Sequence, residues 1–262
     1  GKSPLIIAVM WAQYALSLLL MLMRFGIMRK VTQIGFGIED YCIWINSFFF
    51  LGYVGFCTQA AVMGFGRHQW NLPDDQLSNA NLCENIGQAC AAISLFCCKS
   101  CVAFFLLRII VRRVHRTMVY VAISIQAIVT VLYCVLLFTQ ITPVQGVWNP
   151  FLEHKRVNFD LVPFAISHAA VSALYDFFLG IAPWVFLRSL KVEAKERHTV
   201  CASFSIGISA GIFAVIRAIK TPSLGAKEDY SYETVEFILW TSSEITTSCI
   251  SICIPPLRAL YR

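Results

Sequence analysis

The sequence predicts an all-α, seven-transmembrane helix bundle, with the N-terminus lumenal or extracellular and the C-terminus cytosolic. Three observations predict it. First, the 262 residues are 58% apolar and only 14% charged, against about 45–50% and about 25% in soluble domains. A compact soluble chain of this size lacks the interior to hide so many apolar side chains. Second, the apolar residues fall in runs of bilayer-crossing length, about 20 residues each. Third, Lys and Arg are distributed unequally between alternate connections. The same composition excludes disorder and collagen-like repeats.

The elements follow in order, as a single transmembrane domain over residues 1–262. The spans run at about 4–23, 41–63, 82–107, 117–141, 161–187, 199–219 and 234–257. The first, PLIIAVMWAQYALSLLLMLM, and the fourth are the cleanest, and the first contains no charge. It is long for the apolar core of a signal peptide, and no small-x-small cleavage site follows it. The third, fifth and seventh carry ionisable residues and are weaker by hydropathy. Thirteen Lys and Arg, from Arg24, Arg29 and Lys30 to Arg258 and Arg262, fall on one side and seven on the other. That bias sets the orientation. It also accounts for the net charge of +6 without nucleic acid, which is not an expected partner.

Ten of the eleven cysteines lie inside spans, where a free Cys serves as a small apolar packing residue. Cys97 and Cys101 of CCKSC share a helix face, but no His is near, so no metal site is expected. Asp74 and Asp75 of NLPDDQ suit a solvated loop or a helix start. There is no phosphate-binding Gly-rich loop, dinucleotide fingerprint, HExxH or GxSxG.

Charges at membrane depth are costly and need a partner, a wet cavity or a task. Lys99, Asp176 and Glu244 are deepest, and a Lys between two carboxylates would form a structural ion network across three helices. A second polar layer holds Glu84, Asn85, Gln88, His168, Arg217 and Glu236. Asn85, Gln88 and Lys99 fall within about 40° of one helical line, which must face the bundle interior. Glu84, Arg217 and Glu236 lie so near helix ends that solvated or snorkelling charges are the default. Tyr175, Trp240, Trp70 and Trp148 could wall a pocket or equally form an interfacial belt, Trp70 and Trp148 especially. The candidate catalytic set is His168, Asp176, Glu244 and Arg217. The candidate substrate-binding set is Asn85, Gln88, Glu84, Tyr175, Trp240 and Glu236.

Several landmarks stand in a telling order: GIED (37–40), MGFGRHQWNLP (63–73), KSCVAFFLLRI (99–109), ITPVQGVWN (141–149), Asp176 with Pro183, Arg217, and WTSSEITTSCISICIPPLRALYR (240–262). Over about residues 35–262 the chain resembles the fungal rhodopsin-like integral membrane domain, the satratoxin-cluster membrane protein family. Two departures stand out. Glu39 replaces the family's usual Asp. Ile141 stands where the family often has Cys, and FLEHKRVNFD lacks the second Cys, which fits a missing lumenal disulfide. The resemblance implies seven helices and fungal origin. Retinal is not expected, because residues 234–257 contain no Lys for a Schiff base.

The expected function is a membrane-embedded, cofactor-independent cyclase or isomerase. Its substrate would be a lipophilic polyketide or terpenoid intermediate of fungal secondary metabolism, folded by shape and activated by acid/base or hydrogen-bonding groups. The expected partners are that small molecule, the lipid bilayer and other membrane-bound pathway enzymes. The membrane is that of the endoplasmic reticulum or the cell surface. A seven-helix, G-protein-coupled sensor without retinal is the first alternative. A transporter or pathway scaffold is the second.

Overall fold

The computed structural model describes residues 1–27, 37–71, 73–110, 112–152, 154–186, 194–225 and 230–257. Arg29, Lys30, Arg188, Lys191, Lys227, Arg258 and Arg262 lie outside the described residues, as do the side chains of Lys195, Arg197 and Cys201. Seven long helices carry the fold: α1 (Ser3–Ile27), α2 (Ile38–Val62), α3 (Asp74–Ile109), α4 (Arg113–Thr139), α5 (Val162–Phe186), α6 (Ala194–Lys220) and α7 (Tyr230–Leu257). Five of them, α1 to α5, are long and apolar enough to cross a membrane. The side chains described in α6 and α7 run over 205–220 and 230–253, short of the spans expected there at 199–219 and 234–257.

The helices close a ring in chain order, with α7 returning to α1, and α3 also touches α5 and α7. Nearly three-quarters of the most apolar α3 window is buried (72%), against 22% for α1 and for α4. The α1 and α3 windows have the same mean hydropathy, 2.1, so burial rather than hydropathy sets α3 apart. A helix facing hydrocarbon tolerates almost no polar residue, whereas a central one can carry a polar stripe shielded by its neighbours. Outward-facing apolar side chains such as Phe48, Ile128 and Leu174 are 71%, 67% and 69% exposed. So much uncovered apolar surface suits lipid rather than water.

The boundaries have local causes. Pro73 precedes α3 and Asp74 and Asp75 occupy its first turn, where acidic groups complement the helix dipole. The helix therefore starts eight residues before the expected span, and Asp74 and Asp75 belong to it rather than to a loop. At the start of α2 the Asp40 carboxylate accepts the Gly37 amide at 3.0 Å. Pro183 lies inside α5, where it removes one backbone hydrogen bond, a loss that neighbouring helices make tolerable in a membrane bundle.

One feature was not expected. The α4–α5 connection contains a two-stranded antiparallel sheet, β1 (Ile141–Thr142) and β2 (Arg156–Val157), with Ile141 opposite Val157. The ladder closes the connection without sulfur, and the ten cysteines with described side chains are free thiols. Two residues per strand are too few to leave a period-2 pattern in the sequence.

Candidate functional site

The site is built from two polar layers on α3, α4, α5, α6 and α7. The deeper layer centres on Lys99 of α3, which is 1% exposed. Its ammonium donates to Asp176 Oδ2 of α5 at 2.8 Å and to Glu244 Oε1 of α7 at 2.8 Å. It also donates to the Ser172 carbonyl at 3.1 Å and to the Ser172 hydroxyl. The second Glu244 oxygen accepts from Arg217 Nε of α6 at 2.7 Å. Two cations and two carboxylates thus form a neutral quartet on four helices. Pairing of this kind offsets the cost of burying charge. The expected Lys99–Asp176–Glu244 contact is present. Arg217, expected to be solvated or snorkelling by default, is instead 3% exposed, turned inward onto Glu244 of α7.

The second layer lies toward the Ser3 end of the bundle. Glu84 was also read as solvated by default, yet it is fully buried, since ten α3 residues precede it. Its carboxylate accepts the Tyr230 hydroxyl at 2.7 Å and the Gln88 amide. Gln88 Oε1 accepts the Tyr133 hydroxyl of α4 at 2.9 Å. No cation pairs with Glu84 among the described residues. Asn85 donates to the Asn81 carbonyl at 2.8 Å.

A cavity of about 520 Å³ sits on this layer at the Ser3 end. Its floor is Asn85, Gln88 and Tyr230, its walls include Leu137, Val147, Leu161 and Leu224, and Lys155 of the α4–α5 connection stands at its rim. That volume and mixture are typical of small-molecule pockets. Beneath the floor, His168 stacks on Tyr133 with ring centroids 4.7 Å apart.

The cavity gathers only part of the expected set. Asn85 and Gln88 line it, and Glu84 is one hydrogen bond behind. His168, Arg217, Asp176 and Glu244 lie deeper and do not line it. Tyr175 packs among Ala103, Leu106 and Leu179 in the half toward Arg24. Trp240 is half-buried against Phe213 of α6, 5.7 Å between centroids. Glu236 pairs with Lys220 at 2.6 Å at the surface, its side chain 47% exposed. Trp70 is exposed, and Trp148 meets the site only through its carbonyl, which accepts from Asn81. Sequence reasoning missed Tyr230, Tyr133 and Ser172. Tyr230 fell outside the expected seventh span, and Tyr133 sits in an otherwise apolar run.

The buried polar stripe, the lipid-suited exterior and the apolar helices define a multi-pass membrane protein. Comparison with known proteins gives the family. The fungal rhodopsin domain matches residues 23–262, and the chain belongs to that family, over a slightly longer range than the landmarks suggested. Among curated proteins, Fugralins biosynthesis cluster protein 2 of Gibberella zeae is 23% identical over 205 residues, 76% of this chain and 51% of that protein. Satratoxin biosynthesis SC1 cluster protein 4 of Stachybotrys chartarum is 25% identical over 120 residues, 45% of this chain and 42% of that protein. The chain spans about half the length of these relatives. No solved structure matches.

Proposed function

We propose that the protein is a membrane-embedded, cofactor-independent cyclase or isomerase acting on a lipophilic polyketide or terpenoid intermediate. In this reading residues 1–262 form one transmembrane domain, all seven helices span the bilayer, and the membrane is that of the endoplasmic reticulum or the cell surface. The observation that carries it is the Tyr230–Glu84 hydrogen bond at 2.7 Å on the floor of a cavity of about 520 Å³. Relatives named for biosynthetic clusters support the same reading.

Tyr230 and Glu84 make a two-way proton relay. As a base, the Tyr230 oxygen takes a proton from the carbon next to a substrate carbonyl while its own proton passes to Glu84. The resulting enolate attacks a second carbonyl, and the relay returns the proton to the new alkoxide. Bonds are rearranged with no change in mass or oxidation state. Asn85 and Gln88 orient the carbonyls and the apolar walls fold the chain, so much of the rate comes from proximity. The proposed part of Lys99, Asp176, Glu244, Arg217 and His168 is to hold the floor in place, since the quartet charges neutralise one another. Lys99 has all three N–H groups engaged, which argues against a retinal Schiff base.

The test is incubation of the protein in lipid nanodiscs with the intermediates of its biosynthetic neighbourhood. The expected product has unchanged mass and a new retention time. Tyr230→Phe is expected to lower its rate by about 10²–10⁴-fold, the usual contribution of a positioned acid or base, with the fold retained and the thermal midpoint lowered because Glu84 loses a hydrogen bond. Recovery of every intermediate unaltered overturns the proposal. Ligand-stimulated nucleotide exchange on an added G protein would favour the sensor instead.

A further inference from the structure

Two small voids bracket the ion quartet. One lies between it and the cavity floor, lined by Gln88, Tyr133, His168, Arg217 and Thr241 among others. Gln88 also lines the main cavity, so the two spaces share a wall residue. The second void lies on the far side of the quartet, lined by Lys99, Asp176, Gly207, Ser248 and Ser251 among others. Each holds about 10 Å³, close to the smallest space that admits a water molecule.

Both are bordered by polar atoms that lack partners. His168 Nε2 and Arg217 Nη2 belong to residues lining the first, and each is buried without a hydrogen bond. Ser248 Oγ and Ser251 Oγ belong to residues lining the second and are likewise unpartnered. His168, Arg217 and Ser248 are 2–3% exposed, and Ser251 is 6%. An orphaned buried polar group is costly, and here four occur in two pairs, each pair beside a void. Their chemistry is complementary to water. Arg217 Nη2 can only donate, so a water oxygen accepts from it while one water hydrogen is donated to His168 Nε2. The serine hydroxyls donate and accept.

We propose that each void binds one water molecule. The two waters complete a hydrogen-bonded column from the cavity floor, through Arg217, Glu244, Lys99 and Asp176, to Ser248 and Ser251. The first water links the quartet, at Arg217, to the cavity floor, and the second links it to the half of the bundle toward Arg24. This goes beyond the proposed catalysis and stands whether or not the cavity holds a substrate.

The test reads water rather than turnover. A density map of the purified protein that resolves ordered solvent is expected to show a peak within hydrogen-bonding distance of His168 Nε2 and Arg217 Nη2. It is expected to show another beside Ser248 Oγ and Ser251 Oγ. Dry voids in that map overturn the proposal. Substitution adds a sign. His168→Phe keeps a ring on Tyr133 and Ser251→Ala keeps the helix, while each removes one polar atom. With water bound, each variant strips a partner from it and the thermal midpoint falls. With the voids dry, each removes an unsatisfied group, the midpoint rises, and the proposal fails.

Discussion

Lys99 is where a single substitution says most. Its ammonium has three hydrogens, and Asp176, Glu244 and Ser172 take them all. Lys99→Met removes the charge and keeps the length. Glu244 would retain Arg217 at 2.7 Å, but Asp176 would be a buried carboxylate with no cation. Breaking a buried pair costs about 3–5 kcal/mol, so the thermal midpoint in detergent is expected to fall sharply. Adding Asp176→Asn neutralises the stranded carboxylate and should recover most of the loss. If the double variant is no more stable than Lys99→Met, the quartet is not what couples these helices. The quartet was half legible beforehand. A charge within an apolar run announces itself, and three such charges implied one another. Arg217 and Glu84 did not, because their distance from a helix end decides between snorkelling and burial, and helix ends are what a sequence fixes least. Ser172 gave no signal, since serine is unremarkable on a membrane helix.

The helices are held together at their ends by two kinds of contact of unequal strength. Toward one end, buried Arg24 of α1 donates to Asp40 of α2 at 3.1 Å and to the Ile252 carbonyl of α7 at 2.7 Å. One guanidinium thus joins three helices. Nearby, Arg108 of α3 meets Glu39 at 3.0 Å, but its side chain is 52% exposed. Arg24→Met is therefore expected to cost about 3–5 kcal/mol by stranding Asp40. Arg108→Met should cost less than Arg24→Met, because half-exposed Arg108 leaves its pair partly screened by solvent even though Glu39 is buried. Comparable losses in the two midpoints would contradict this ranking. At the Ser3 end the chain turns through Gly66, at φ +89°. The Gly66 carbonyl accepts from Lys2 and its amide donates to the Ser231 carbonyl. A Cβ there would lie 3.1 Å from the Ser3 nitrogen. Gly66→Ala should cost at least about 1–2 kcal/mol from the left-handed backbone alone, measurable as a lower midpoint. The landmarks GIED and MGFG thus tie down the two ends of α1. They were readable as strings, but what they touch required the fold.

The orientation proposed for the whole molecule rests on charge, and the structure sharpens the count. Of thirteen Lys and Arg on the proposed cytosolic side and seven on the other, Arg24 and Arg217 are buried in ion pairs. Such residues act as packing rather than as topology signals. Setting both aside leaves twelve against six, so the bias does not depend on them. It predicts that the cavity, its hairpin and Lys155 face the lumen or the cell exterior, and that the α3–α4 connection around Arg112 faces the cytosol. A short epitope inserted at His154, an exposed position at φ +62°, should be reached by antibody or protease from the outer side only. The same epitope beside Arg112 should be reached only after the membrane is permeabilised. The cavity opens on the hairpin side, so this also sets where a substrate enters. A lumenal mouth would receive a compound released from the bilayer's outer leaflet or from the organelle interior. Epitopes found the other way round would turn the mouth toward the cytosol and make cytosolic enzymes its suppliers, with every residue contact in the bundle unchanged.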